Sequence, residues 1–473
     1  MKRVIIVGGG ISGLATAHAV LAKDAAAELT LLERAPRVGG NIVTVREDGL
    51  VLDGGPDSWV ANKPHATTLA KSLGLGGDLI GTVPENRRSL IAWGDELHPL
   101  PEGFVLGVPT SILPILRTPL FSLKAKARMA LEPFVPRRAR GGADGGNAGD
   151  DDESIDAFIR RRLGPEVAER LVAPLLGGIY GGDAGQLSMR ATLPQFVEME
   201  QQHGSLIRAM KRTLVSGGGG KQKPSMFTSL VGGLGGLVDK LESAIGAARI
   251  RKGVTVVRVA PLPAGDARGR FALELDGGDA VHADDVVMAV PAHVAALALR
   301  PFGEPLTQLL SAMPYVSTGV VMLAFARGDV PGPLDATGYI VPRVLGRPAL
   351  AATWVTSKWA HRAPEGTVLI RVFLGGKGHE DLLDREDDEL VSLARTELGR
   401  AMHVEAAPSM TRVFRFRRAS PQPLVGHPGR MQKARAILAE TPGLHLVASG
   451  YDGVGLPDCV RQAEEAASAI VSR

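Results

Sequence analysis

The sequence is poor in cysteine and in aromatic residues. A single cysteine, Cys459, among 473 residues excludes an internal disulfide framework and any cysteine-ligated metal site, and suits a reducing cytoplasm. Four Trp and four Tyr leave little material for an aromatic cage around an amine. A net charge of only +4 gives no footprint for nucleic acid. That basic excess fits an anionic small molecule or a weak peripheral contact with an acidic membrane surface. No segment approaches the ~20 consecutive apolar residues that spanning a bilayer requires. Met1-Lys2-Arg3 followed by the uncharged residues 4–22 does imitate a secretory signal, with Ala17-His18-Ala19 as its cleavage triplet. Gly8, Gly9, Gly10 and Gly13 interrupt that apolar run, which favours a buried strand, a glycine turn and a helix instead.

Glycine, by contrast, is abundant at 59 residues, which suggests many close backbone approaches. The chain is 45% apolar and 22% charged, an ordinary globular composition with room for two or three domains. Residues 4–7 and 29–33 read as strands around a helix at 12–23. From about residue 86 to 212 longer amphipathic stretches, such as 122–134 and 155–176, predict a mostly helical region. Residues 137–153 lack periodicity and read as a solvated, disordered loop, and 216–224 as a flexible joint. A helix at 232–245 and strands at 254–259, 271–275 and 286–290 follow. Apolar β-rich runs at 316–325, 349–355 and 368–374 predict a sheet. The tail repeats the opening pattern, with a strand at 444–448, a glycine loop and a helix to 470.

Gly8, Gly10 and Gly13 form Gly-x-Gly-x-x-Gly directly after an apolar strand and before a helix. The first glycine permits the tight turn, the second lets backbone approach a pyrophosphate, and the third allows close strand–helix packing. Glu33 closes the second strand, where its carboxylate can accept from ribose hydroxyls. Arg37-Val38-Gly39-Gly40 and Asp53-Gly54-Gly55-Pro56-Asp57-Ser58 follow, and this continuation favours FAD over NAD. A second glycine pair offers more backbone N–H groups to phosphate or ribityl oxygens, while Arg37 is either a nearby charge or a solvated loop residue. At the far end, Gly450-Tyr451-Asp452-Gly453-Val454-Gly455-Leu456-Pro457-Asp458 starts a helix. Such a start can aim N–H groups at the negative charge of a reduced flavin.

These motifs resemble the FAD-dependent amine oxidase superfamily and, within it, the porphyrinogen oxidases of haem biosynthesis. The specific pieces are Gly55-Pro56-Asp57-Ser58, the segment from Pro174-Leu175-Leu176-Gly177-Gly178-Ile179-Tyr180 to Gly181-Gly182-Asp183, Leu193-Pro194-Gln195-Phe196, Lys358-Trp359, and Gly453-Val454-Gly455-Leu456-Pro457-Asp458-Cys459. Gly107-Val108-Pro109-Thr110 with Leu120-Phe121-Ser122-Leu123 is similar to the soluble bacterial branch, which acts on coproporphyrinogen III.

The resemblance implies an α/β fold: a Rossmann-like FAD-binding domain assembled from residues 1–85, 225–291 and 411–473, a helical insertion at 86–215, and a sheet-containing substrate domain at 292–410. It implies FAD contacts at Gly8, Gly9, Gly10, Ile11, Ser12, Gly13, Leu14, Glu33, Arg34, Gly39, Gly40, Gly55, Pro56, Asp57, Ser58, Val256, Val454, Gly455 and Leu456. For Val256, an ordinary strand valine is the equal alternative.

Three departures matter. Eukaryote-type protoporphyrinogen oxidases carry a propionate-binding arginine where this chain has Ser89, flanked by Arg87 and Arg88. The family's Trp at the flavin edge is replaced by Phe416. The Asp-rich loop at 150–152 lies in the helical region that faces membranes or partners in relatives. The first departure favours coproporphyrinogen III over protoporphyrinogen IX as substrate.

The reaction so implied is a six-electron oxidation in three steps, with dioxygen as acceptor. The cofactor carries that chemistry, so no general base and no metal are assigned. Lys63 is either a ligand for a substrate propionate or a solvated lysine, and Arg87 and Arg88 are further candidates. An amine oxidase, a carotenoid desaturase and a non-catalytic flavin-binding scaffold are the rival readings.

Overall fold

The computed structural model describes residues 2–100, 104–105, 108–109, 120–138, 152–216 and 225–473. Most of the 137–153 loop, the 216–224 joint, and Gly107 and Thr110 of the branch-specific motif lie outside the described residues. The chain divides into two compact units.

The first unit comprises Met1–Gly81, Ser225–Pro314 and Arg430–Arg473. Its centre is a five-stranded parallel sheet in the order Ile250–Lys252, Glu28–Glu33, Arg3–Val7, Asp285–Met288, Leu444–Leu446. Parallel strands covered on both faces are near-continuously apolar, as residues 4–7 are. The first helix, Ile11–Lys23, packs against the C-terminal helix, Leu456–Val471, and against Gly235–Ile245. Val4, Ile6, Leu14, Leu31, Val287 and Ala463 belong to one core beneath them. Residues 292–314, expected in the substrate domain, instead form the helices Ala292–Ala298 and Glu304–Ser311 of this unit. The first of them leaves the Asp285–Met288 strand and packs on the Val256–Pro261 strand, which keeps it here.

The second unit comprises Thr82–Pro224 and Tyr315–Gly429. Its seven-stranded sheet runs Met410–Pro421, Tyr315–Ala326, Thr367–Gly375, Ala349–Trp354, Gly338–Ile340, Leu90–Trp93, Glu96–Pro99. The helix Asp387–Met402 covers one face, where Leu390, Ala394 and Leu398 share a core with Val321, Leu323, Ile370 and Val372. Two expectations are corrected. Residues 90–99, placed in the helical region, are a β-hairpin at the sheet edge. Residues 411–429, assigned to the cofactor domain, belong to this unit, because Met410–Pro421 pairs along the whole of Tyr315–Ala326.

The helical part includes Leu123–Ala130, Ile155–Leu163, Ala173–Tyr180, Pro194–His203 and Leu206–Ser216. Arg162 ties it together from inside. Its side chain is fully buried, as is that of Glu132, and Nε donates to Glu132 Oε1 at 2.9 Å. Nη1 reaches Glu200 Oε1 at 3.3 Å and Val135 O at 3.0 Å. Glu132 in turn accepts the N–H groups of Leu206 (2.9 Å) and Ile207 (3.3 Å) at the start of a helix.

Candidate functional site

At the end of the first strand, Gly8 turns at φ +107°, and a Cβ there would lie 2.5 Å from Ala289 O. A Cβ on Gly13 would fall 1.9 Å from Gly8 O, so the helix approaches the strand as only glycine allows. Gly10, the N-cap of the first helix, is different: it sits at φ −71°, ψ 178°, and a Cβ would meet nothing within 4 Å. Its backbone therefore faces open space at the positive end of a helix that no side chain caps.

Glu33 stands beside this turn. Its Oε2 accepts the Gly9 N–H at 2.6 Å and its Oε1 the Ala35 N–H at 2.7 Å. Each carboxylate oxygen retains a lone pair for a hydroxyl. The second glycine pair lies against the first: Gly39 N–H donates to Gly9 O at 2.7 Å, and Gly40, at φ +56°, would put a Cβ 3.1 Å from Gly10 Cα. Arg37 braces this loop, donating to Val38 O, Gly40 O and Ile42 O. Arg34 is exposed at the end of the same strand. Val254 N–H donates to Glu33 O at 3.0 Å, which brings the segment leading to the buried Val256 alongside Glu33.

Ser12 and Ile11 open the first helix, with Gly13 and Leu14 in its first turn. Ser12 interacts with Cys459 in the first turn of the C-terminal helix, so the two helix starts meet. Burial pushes the Cys459 thiol up to about 11, with the Ser12 hydroxyl pulling the other way. Gly455 caps the C-terminal helix, its N–H donating to Asp458 Oδ2 at 3.2 Å, and Ser449 Oγ donates to Val454 O at 3.0 Å. Leu456 packs on the core.

Lys63 Nζ is 2.6 Å from Asp458 Oδ1. It is exposed to solvent and at the same time paired with the helix start. In the turn of Gly55, Pro56, Asp57 and Ser58, the Ser58 hydroxyl donates to Asp57 Oδ1 at 2.8 Å. Ser229 Oγ donates to Asp57 O at 2.6 Å.

Asp53 opens the glycine motif that runs to Ser58, and sequence assigned it no role of its own. Buried at 5% exposure, it accepts from Thr44 Oγ1 and from Leu234 N–H, and Thr44 Oγ1 accepts the Gly235 N–H at 2.7 Å. A carboxylate directly before a glycine pair was the available signal. The glycine cradle, the uncapped helix start and the two open lone pairs of Glu33 together fit FAD.

Arg87 and Arg88 belong to the second unit and Lys63 to the first. Arg87 donates to Thr82 Oγ1 (3.2 Å) and Thr82 O (3.3 Å). Arg88 is ion-paired with Asp335, which raises its pKa, so its charge is already matched. Ser89 Oγ lies 3.1 Å from Thr337 Oγ1. The segment containing Gly181 and Gly182 folds against Gln422, whose Nε2 donates to Tyr180 O at 2.8 Å. Gly181 is left-handed at φ +62° and would press a Cβ to 3.1 Å of Thr318 Cγ2.

The family model described as flavin containing amine oxidoreductase matches residues 11–471. A coproporphyrinogen III oxidase from Bacillus subtilis is 37% identical, over 99% of this chain and 97% of its own. The chloroplastic protoporphyrinogen oxidase 1 of Arabidopsis thaliana is 30% identical, over 98% and 87%. Among solved structures, a putative protoporphyrinogen oxidase from Exiguobacterium sp. superposes with a TM-score of 0.85 at 32% identity, covering 100% of this chain and 99% of that one.

Proposed function

We infer the reaction from the premise that the chain belongs to the flavin containing amine oxidoreductase family and, within it, to the porphyrinogen oxidases: it oxidises coproporphyrinogen III to coproporphyrin III, with FAD as cofactor and dioxygen as acceptor. The observation that carries this is the end-to-end likeness to a bacterial coproporphyrinogen III oxidase at 37%, against 30% for a plant protoporphyrinogen oxidase. Ser89 adds to it. A hydroxyl shared with Thr337 stands where the eukaryote-type enzymes are expected to hold an arginine.

FAD, when bound, accepts electrons in pairs, so six electrons leave the substrate in three steps. The protein's own work is placement. In our reading the N–H groups of Gly10, Ile11, Ser12, Gly13 and Leu14 hold the pyrophosphate, with Gly8 and Gly9 shaping the turn. Glu33 accepts from the ribose hydroxyls, with Arg34 beside it, and Val256 lies along the adenine. Gly39, Gly40, Gly55, Pro56, Asp57 and Ser58 line the middle of the cofactor. The helix start at Val454, Gly455 and Leu456 presents its dipole to the negative charge that builds at the ring system. Lys63 acts through Asp458, fixing that helix start. None of the described helices is long and apolar enough to cross a membrane, and we place the reaction in the cytoplasm.

Initial rates on both porphyrinogens, corrected for spontaneous air oxidation, test the assignment. Coproporphyrinogen III should be oxidised faster, with about three peroxides per porphyrin. A clear preference for protoporphyrinogen IX would overturn the substrate, and no flavin-dependent rate on either would overturn the reaction.

A further inference from the structure

We propose that Arg343 binds a carboxylate of the substrate, an inference that rests on the porphyrinogen reading above and narrows it to one residue. Arg343 opens a short helical turn, Arg343–Leu345, in the second unit. Its guanidinium is held from two sides by backbone carbonyls: Nη1 donates to Lys377 O, and Nη2 to Gly181 O at 2.9 Å. Two glycines stand beside it, with Leu350 near the first. A Cβ at Gly376, which sits at φ +75°, would stand 3.2 Å from Nη2, and one at Gly177 would stand 3.7 Å from Nε. The cation is therefore fixed in orientation by the carbonyls of Lys377 and Gly181.

Its electrostatic situation contrasts with that of two buried arginines elsewhere in the chain. Arg162 and Arg347, both buried, are each matched by glutamates: Glu132 and Glu200 for the first, Glu397 for the second. Arg343 is half-buried, and no carboxylate among the described residues comes within ion-pair distance of it. Its Nε–H is buried without an acceptor. Burial draws its pKa below the ordinary arginine value, opposed only by the more distant charges of Asp183 and Glu380. A cation withdrawn from water without an anion is costly, and a bound carboxylate removes that cost.

The neighbourhood suits an apolar macrocycle with acidic arms. Thr318, against which Gly181 packs, is paired across the sheet with Gly375 on one side and Phe416 on the other. Two residues along, Val320 is flanked in the same way by Phe373 and Phe414. Directly opposed residues share a sheet face. Phe373, Phe414 and Phe416 are all half-buried. An aromatic surface thus lies at the end of the sheet where the Arg343 loop sits.

Arginine at this position also has a purely structural reading, since Gly181 ends the helix Ala173–Tyr180 and a cation there complements the helix dipole. The two readings part on substrate charge. Arg343→Gln and Arg343→Lys are compared with the parent as FAD-loaded enzymes. Binding of coproporphyrin III and of its tetramethyl ester, which has no carboxylates, is followed by fluorescence, alongside KM and kcat for coproporphyrinogen III.

The charge-assisted contact predicts that Arg343→Gln weakens coproporphyrin III roughly ten- to a hundredfold and leaves the ester within about twofold. KM should rise by a similar factor, kcat should change less, and Arg343→Lys should recover part of the loss. Equal weakening of acid and ester, or unchanged affinity for both with a lowered melting temperature, would overturn the proposal. Should the Gln variant fail to fold, the Lys variant decides on the same acid-to-ester ratio. If the parent does not oxidise coproporphyrinogen III, the substrate reading fails by itself, while the acid-to-ester ratio still judges Arg343.

Discussion

Two glycines of one motif should respond differently to the same methyl group. At Gly10 the backbone has φ −71°, which alanine accepts, and an added Cβ meets nothing within 4 Å. Replacing glycine with alanine under those conditions stabilises a fold by about 0.4–1 kcal/mol through the unfolded chain. Alanine is poorer than glycine at an N-cap by a similar amount, so the apo form of Gly10→Ala should stay within about 1 kcal/mol of the parent. Its methyl, however, occupies the space through which the pyrophosphate approaches the helix start, and FAD affinity should fall at least about tenfold, or ~1.4 kcal/mol. At Gly13 the added Cβ lies 1.9 Å from Gly8 O, an overlap with backbone that no rotamer relieves. Gly13→Ala should cost about 1–3 kcal/mol or more in the apo protein as helix and strand separate, and lose FAD as well. The assay is thermal melting of both apo variants with titration of FAD by quenching of its fluorescence. If Gly10→Ala binds FAD as tightly as the parent, the pyrophosphate does not pass over Gly10 and the cofactor's placement is wrong.

Glu33→Ala should weaken FAD and also loosen the turn, because the carboxylate holds the Gly9 and Ala35 N–H groups. Each such charge-assisted bond contributes about 1.5–3 kcal/mol, so full FAD retention on gel filtration would refute the ribose role. Cys459, buried and pushed up to about 11, should not react with a disulfide reagent at pH 8 in the native enzyme, and should yield one thiol per chain on unfolding. Fast labelling of the folded protein would contradict that burial. Arg162→Ala leaves the fully buried Glu132 without its cation, while Glu200 keeps Arg161, and should lower stability by about 3–5 kcal/mol in a urea titration, against little loss for the exposed Arg268→Ala.

The glycine turn and its neighbouring carboxylate were legible in the sequence because they are local. Gly8, Gly13 and Glu33 are set by spacing along one strand–turn–helix–strand unit, in which Gly13 abuts Gly8 and Glu33 accepts the Gly9 N–H. Elements decided by distant partners were not legible. Met410–Pro421 alternates arginine with phenylalanine and valine, so its charge hides a strand whose partner lies about a hundred residues earlier. Leu90–Trp93 is an apolar run too short to separate strand from helix by period. For the candidate substrate cations, sequence displays a charge but not its partner. Lys63 is taken by Asp458 and Arg88 by Asp335, whereas Arg343, unremarked in sequence, has no such carboxylate among the described residues.

The central claim, that this flavoprotein oxidises coproporphyrinogen III, is tested most directly by mixing the FAD-loaded enzyme with that substrate in the absence of oxygen. The account predicts rapid bleaching of the oxidised flavin band, slower bleaching by protoporphyrinogen IX, and return of the band on admitting air. A flavin that stays yellow with coproporphyrinogen III, or that bleaches faster with protoporphyrinogen IX, would contradict it.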